Sequence, residues 1–154
     1  MNIPLIEQAR IQAQVLVPLV KTLQAELGEE RANAIVRKAL GEHYREIGDK
    51  FWRAQKGTSV GENVGNAFKG FAAADGLDYE VKKETPEAFD VNVTGCRYAE
   101  FYKKMNAPEL GFLLVCSADF AMTEGFGAGV KLKRTQTIMQ GASHCDFRYQ
   151  LKKP

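Results

Sequence analysis

Between residues 6 and 27 apolar side chains return every three to four positions, at Ile6, Ala9, Ala13, Leu16, Val17, Val20, Leu23 and Leu27. That is the spacing of one face of an α-helix. Pro18 falls inside the run and predicts a kink, since it has no N–H to give to the helical ladder, and Gly28 suits the close. A second helix is predicted by Ala32, Ile35, Val36, Ala39, Leu40, His43, Tyr44, Ile47 and Phe51, running to about Gln55 and broken by Lys56-Gly57-Thr58-Ser59. A weaker third helix spans 60–74; its Gly61, Gly65 and Gly70 each cost about 1 kcal/mol against alanine in a helix interior. The period then changes to two. Leu77, Tyr79 and Val81 alternate on one run and Phe89, Val91 and Val93 on the next, with Thr85-Pro86 between them, which predicts an antiparallel hairpin. A short helix follows over 97–105, with Tyr98, Phe101, Tyr102 and Met105 on one side, and Pro108 opens another that runs to about Glu124. The glycine loop at 125–129 ends it. Residues 130–139 and 145–152 are expected to be two further strands, joined through Gln140-Gly141-Ala142-Ser143. The fold class is therefore α+β: N-terminal helices packed on a roughly four-stranded antiparallel sheet with inserted helices, in two layers. No repeat, low-complexity tract or linker divides the chain, so residues 1–154 are expected to form a single domain.

Composition narrows the partners. The chain has 154 residues, 21 basic and 19 acidic, for a formal net charge of +2, and no Lys/Arg cluster interleaved with aromatics that would follow a phosphate backbone. Nucleic acid is not an expected partner. The apolar stretches are shorter than the roughly 20 residues of a membrane span, and Met1-Asn2-Ile3-Pro4 lacks the features of a signal peptide. A cytoplasmic protein with reduced thiols and no membrane contact is the expectation. Three unevenly spaced cysteines without a CxxC pair argue against a disulfide framework. Phe51, Trp52, Phe68 and Phe71 suit either a homo-oligomer surface or packing inside one subunit.

The chemistry-bearing residues gather in the second half. Cys116 and Asp119 are three apart on the helix from Pro108, on a face shared with Phe112, Phe120 and Thr123. That face can line a cavity while Leu110, Leu113, Leu114, Ala118 and Ala121 pack. A neighbouring carboxylate raises a thiol's pKa, so Asp119 suits a base towards water, an orienter, or a holder of a substrate cation. Alternation turns Arg134 inward with Val130, Leu132 and Ile138. A buried guanidinium needs a partner: a substrate carboxylate, or an internal ion pair with Asp119 or Glu100. Cys145, Phe147, Tyr149 and Leu151 share a strand face. His43, on the apolar side of the second helix, is the inward imidazole that could activate a thiol, whereas His144 points opposite to Cys145. Cys96, Cys116 and Cys145 with His43 or Asp119 would also compose a tetrahedral zinc set, although none has CxxC spacing. Inert packing cysteines are the plain alternative. Gly125, Gly127 and Gly129 lie between helix and strand, the wrong order for a dinucleotide fingerprint.

The arrangement Cys96, Cys116-x-x-Asp119, Lys133-Arg134-Thr135 and Gly141-x-x-x-Cys145-Asp146-Phe147-Arg148-Tyr149 resembles the L-2-amino-thiazoline-4-carboxylic acid hydrolase family, most strongly over 94–150. The resemblance implies a hydrolase acting on carbon–nitrogen bonds of cyclic amidines or amides, which opens a five-membered cyclic amidine to an N-carbamoyl amino acid. No cofactor is expected, and the hydrolase reading is metal-independent. Cys116 would be nucleophile or key polar contact, Asp119 would hold the amidinium or activate water, and His43 would move a proton. Arg134 would take a substrate carboxylate, with Cys145, Cys96, Phe120 and Thr135 around the substrate. The family is in turn distantly similar to vinyl-reductase-like small-molecule-binding domains, which implies a rival: a ligand-binding or sensor domain, with or without zinc.

Overall fold

The computed structural model describes residues 2–127 and 129–152; Ala128, in the middle of the glycine loop, lies outside them. Three helices come first: α1 (Leu5–Leu27), α2 (Glu29–Ala54) and α3 (Val60–Ala72). The hairpin β1 (Leu77–Thr85) and β2 (Ala88–Cys96) follows, then α4 (Arg97–Lys104), α5 (Pro108–Gly111), a π-helical turn (Phe112–Cys116) and α6 (Ala118–Gly125). Strand β3 (Val130–Lys133), a 3-10 turn (Ile138–Gln140) and β4 (Cys145–Leu151) complete the order. The four strands form one antiparallel sheet, β1-β2-β4-β3. The α+β architecture expected from the sequence is the one observed.

Local signals explain the boundaries. Gly28, at φ 83, closes α1 by donating its N–H to the Gln24 carbonyl and starts α2 through its own carbonyl, a left-handed position that suits glycine. Ser59 caps α3 by accepting from the Glu62 N–H, while the Glu62 carboxylate returns to the Thr58 N–H, a close relative of the capping box. Cys96 caps α4 with its sulfur, which accepts from the Ala99 N–H at 3.4 Å.

Two expectations need correction. The helix from Pro108 is not continuous: at the π turn the Ser117 N–H reaches back five residues to the Phe112 carbonyl, and this inserted residue rephases the helix that follows. The strand expected over 130–139 stops at Lys133. There Asp146 accepts from the N–H groups of Thr135 and Gln136 and from the Thr135 hydroxyl, so the backbone donors that would extend the ladder are diverted into a turn.

Two apolar clusters support the site. The first joins α1 and α2 to α4, α5 and the π turn through Val17, Val20, Val36, Tyr98, Tyr102, Leu110 and Leu114. The second lies between the sheet and α3 and α6, with Phe68, Phe89, Val91, Met122, Phe126, Phe147 and Tyr149. Phe68 is buried in it, and Phe51, Trp52 and Phe71 pack against it, so these four aromatics serve internal packing. Helices α2 and α6 touch backbone to backbone. A Cβ at Gly48 would stand 2.2 Å from the Met122 carbonyl oxygen, and one at Gly125 would stand 2.1 Å from that of Arg45. Both glycines set the depth of α6, the helix that carries Asp119. Gly48→Ala is expected to cost about 1–3 kcal/mol, as overpacking does, measured by urea denaturation. A loss below about 0.5 kcal/mol would show that the helices separate freely.

Candidate functional site

The inserted residue of the π turn and the early end of β3 together make a buried ion pair. Released from the ladder after Lys133, Arg134 runs inward with its side chain 3% exposed. Nη1 donates to Asp119 Oδ2 at 2.6 Å and Nη2 to the Cys116 carbonyl at 3.0 Å. Three rings surround the guanidinium, with centroids 5.0 Å (Phe120), 5.2 Å (Phe147) and 6.0 Å (Phe112) from its carbon, so cation–π attraction adds to the ion pair. Of the alternatives left open for Arg134, the internal pair with Asp119 is the one formed. All of these contacts must be given up, at least in part, before it could hold a substrate carboxylate.

Asp119 keeps 23% of its side-chain surface open. Among the described residues no donor bonds its Oδ1, and the carboxyl borders a cavity. The other lining residues are Val64, Ala67, Phe68 and Phe71 of α3, Met122 and Thr123 of α6, Phe126, and Tyr149 of β4. The space open to water centres is about 10 Å³, room for one water molecule. Burial pushes the Asp119 carboxyl up to about 6, against the opposing pull of the Arg134 charge and hydrogen bond. A carboxyl in this range is mostly ionised at neutral pH yet basic enough to take a proton. Burial, with the Asp119 charge second, also pushes the Tyr149 phenol up, so it stays a hydrogen-bond donor. Alternation had turned Tyr149 inward, but nothing in the sequence singled it out, or the α3 residues facing it, as cavity lining.

The thiols stand in this neighbourhood without being activated. Burial raises all three: Cys96 to about 11, and Cys116 and Cys145 upward as well, with the Asp119 charge raising each further. The Cys145 sulfur accepts from the Ile138 N–H at 3.2 Å, and that of Cys96 caps α4. Cys116 is half-buried, and no described residue hydrogen-bonds its sulfur. Alkylation by iodoacetamide at pH 7.5 is expected to be at least tenfold slower at each thiol than in unfolded protein, since only thiolate reacts. A thiol labelled at the unfolded rate would contradict this.

Other candidate residues stand away from the cavity lining. His43 is exposed on α2; Tyr44, one residue and about 100° further round the helix, takes the half-buried position near Asp119. Thr135 is exposed and bound to Asp146 on the outer side of the sheet. Phe120 is 38% exposed and covers the Arg134 guanidinium without lining the cavity. Among the described residues no three of His, Cys, Asp and Glu are placed to hold a metal ion, so the proposed zinc set of Cys96, Cys116 and Cys145 with His43 or Asp119 does not assemble. No helix among them is long and apolar enough to cross a membrane.

The model of the L-2-amino-thiazoline-4-carboxylic acid hydrolase family matches residues 8–149. The chain belongs to this family. The match takes in α1, α2 and α3 as well as the C-terminal motifs, so the family's pattern extends over nearly the whole chain. No curated protein matches the chain in sequence. Solved structures are similar in fold alone. The phenol-responsive sensory domain of the transcription activator PoxR with phenol superposes with a TM-score of 0.57 at 11% identity, over 89% of this chain and 73% of that one. A trafficking protein particle complex subunit 3 from Naegleria fowleri, covalently bound to palmitic acid, gives 0.54 at 12% identity, over 95% and 96%. This family member thus shares its architecture with proteins whose structures contain small ligands.

Proposed function

We propose that the protein is a metal-independent hydrolase that opens a small five-membered cyclic amidine, of the L-2-amino-thiazoline-4-carboxylate kind, to an N-carbamoyl amino acid. The observation that carries this reading is the Asp119 carboxyl: raised to about 6, fixed by Arg134 through one oxygen, without a donor on the other among the described residues, and beside a water-sized cavity. Asp119 takes a proton from water as the water oxygen bonds to the amidine carbon, giving a tetrahedral species. Collapse of that species breaks a ring bond, and the proton passes from Asp119 to the departing ring atom. The product keeps both nitrogens on the carbonyl carbon, so in a thiazoline the sulfur is the atom that leaves, and the bond broken is carbon–sulfur where the resemblance implied carbon–nitrogen. The Tyr149 phenol, protonated and on the cavity wall, suits donation to the developing charge. Arg134 acts as a positioning residue for Asp119.

Cys116 is better read as a polar contact than as the nucleophile, because burial and the Asp119 charge both oppose its thiolate. The cavity holds one water and not a ring, so substrate binding must widen the gap between α3 and α6. The rival reading, a ligand-binding or sensor domain, is favoured by the fold shared with the PoxR sensory domain. Incubation of chelator-treated protein with five-membered cyclic amidines and imides, followed by mass, separates the two. A gain of one water on the amidine is the expected result; stoichiometric binding without turnover would move the assignment to a sensor.

A further inference from the structure

The cavity beside Asp119 carries charge of one sign. Among the described residues that line it, Asp119 alone is charged, and Thr123 and Tyr149 add the other polar side chains. The Thr123 hydroxyl is spent on the Asp119 carbonyl. Phe68, Phe71, Phe126 and Tyr149 supply aromatic wall. The cations of the flanking elements are turned elsewhere. Helix α6 has none, Lys69 of α3 is exposed, and Arg148 of β4 bonds to Asn92 and to the Val91 carbonyl on the outer side of the sheet. Arg134 stands behind the carboxylate and does not line the cavity; neither do Phe112, Phe120 and Phe147, the rings around it. At Tyr149, on the wall, the two charges can be weighed: after burial, the Asp119 charge raises the phenol by more than the Arg134 charge lowers it. The carboxylate therefore dominates the field inside the cavity.

We infer that the site selects a planar cyclic amidinium that carries no carboxylate, so that unsubstituted 2-amino-2-thiazoline is preferred over its 4-carboxylate. The inference rests on the ring-opening reading of Asp119. A substrate carboxylate entering this cavity would lose its water without gaining a cation, and would stand beside a like charge. A protonated amidine meets neither penalty. Its flat faces lie against the rings, and its charge is drawn to Asp119 across the attacking water. Protonation also makes the amidine carbon the better electrophile. Water adds to that carbon and gives one proton to Asp119. The carbon–sulfur bond then breaks, its electron pair stays on sulfur, and sulfur takes the proton from Asp119. The hydroxyl proton of the tetrahedral species goes to solvent, leaving a mercaptoethyl urea. Arg134 keeps its hold on Asp119 throughout, and no buried cation has to be uncovered.

Two readouts test this, the first without turnover. Trp52, the chain's only tryptophan, stacks on Phe126 of the cavity wall with ring centroids 5.0 Å apart, so its fluorescence, checked by calorimetry, reports ligand entry. The probes are 2-aminoimidazole, a cyclic guanidinium whose aromatic ring is not opened, and its 4-carboxylate. The first is expected to bind at least about tenfold more tightly than the second, and Asp119→Asn to abolish that preference with an unchanged circular dichroism spectrum. In the second readout, wild-type kcat/KM for 2-amino-2-thiazoline is expected to exceed that for L-2-amino-thiazoline-4-carboxylate by about tenfold or more. Equal or tighter binding of the carboxylate probe would overturn the inference. So would binding of neither probe, a preference that survives in Asp119→Asn, or a kcat/KM that favours the carboxylate. Preferential binding of 2-aminoimidazole with neither thiazoline opened would uphold the selectivity and remove the ring-opening reading instead.

Discussion

Asp119→Ala is expected to lower the unfolding free energy by about 3–5 kcal/mol, read as a shift in the urea midpoint at constant slope. The effect comes mostly from what the substitution leaves behind. Arg134 is 3% exposed, so removing its carboxylate strands a guanidinium with three rings and one backbone carbonyl for company. The double variant Asp119→Ala, Arg134→Met is expected to recover part of the loss, since it removes both charges and fills the space with an apolar chain of similar reach. Equal loss in the single and double variants would show that the pair matters as packing and not as charge. The same carboxyl gives a pH signature. Its folded value, about 6, lies above the ordinary 3.8, so the folded state holds the proton more tightly than the unfolded chain. This group's stabilising contribution is complete below about pH 4 and is lost as pH rises through 6.

Asp119→Asn is expected to reduce ring opening by about 10²–10⁴-fold, the usual contribution of a general base. The amide oxygen can still accept from Arg134, so the fold survives and the loss belongs to the missing base. Cys116→Ser is expected to stay within about tenfold of wild type, because the thiol is not ionised in this setting. The opposite pattern, with Cys116→Ser inactive and Asp119→Asn active, would transfer the nucleophile to sulfur.

The long amphipathic helices and the β1-β2 hairpin were legible in the sequence because periodicity over many residues outweighs local exceptions. Gly61, Gly65 and Gly70 did not break α3; Gly61 and Gly65 are buried, and a Cβ at Gly61 would fall 1.9 Å from the Thr85 carbonyl oxygen, so close packing on the hairpin is part of what favours glycine there. The inward course of Arg134 was also legible, from alternation. Its pairing with Asp119 was legible only as one of several open alternatives, because the π turn that fixes Asp119 relative to Cys116 leaves no mark on hydrophobic period. His43 illustrates the limit of a helical wheel: adjacent positions at the edge of a stripe differ by about 100°, and Tyr44 took the inner place. The cavity was illegible for another reason. Its walls come from α3, α6 and β4, brought together by packing alone.

The most direct test of the account is kcat/KM for ring opening of L-2-amino-thiazoline-4-carboxylate by metal-free protein across pH 4 to 10. The account predicts activity without metal and a rise with pH through an apparent pKa near 6, absent in Asp119→Asn. Activity that appears only on adding zinc, or that rises only above pH 8 with thiol ionisation, would contradict it.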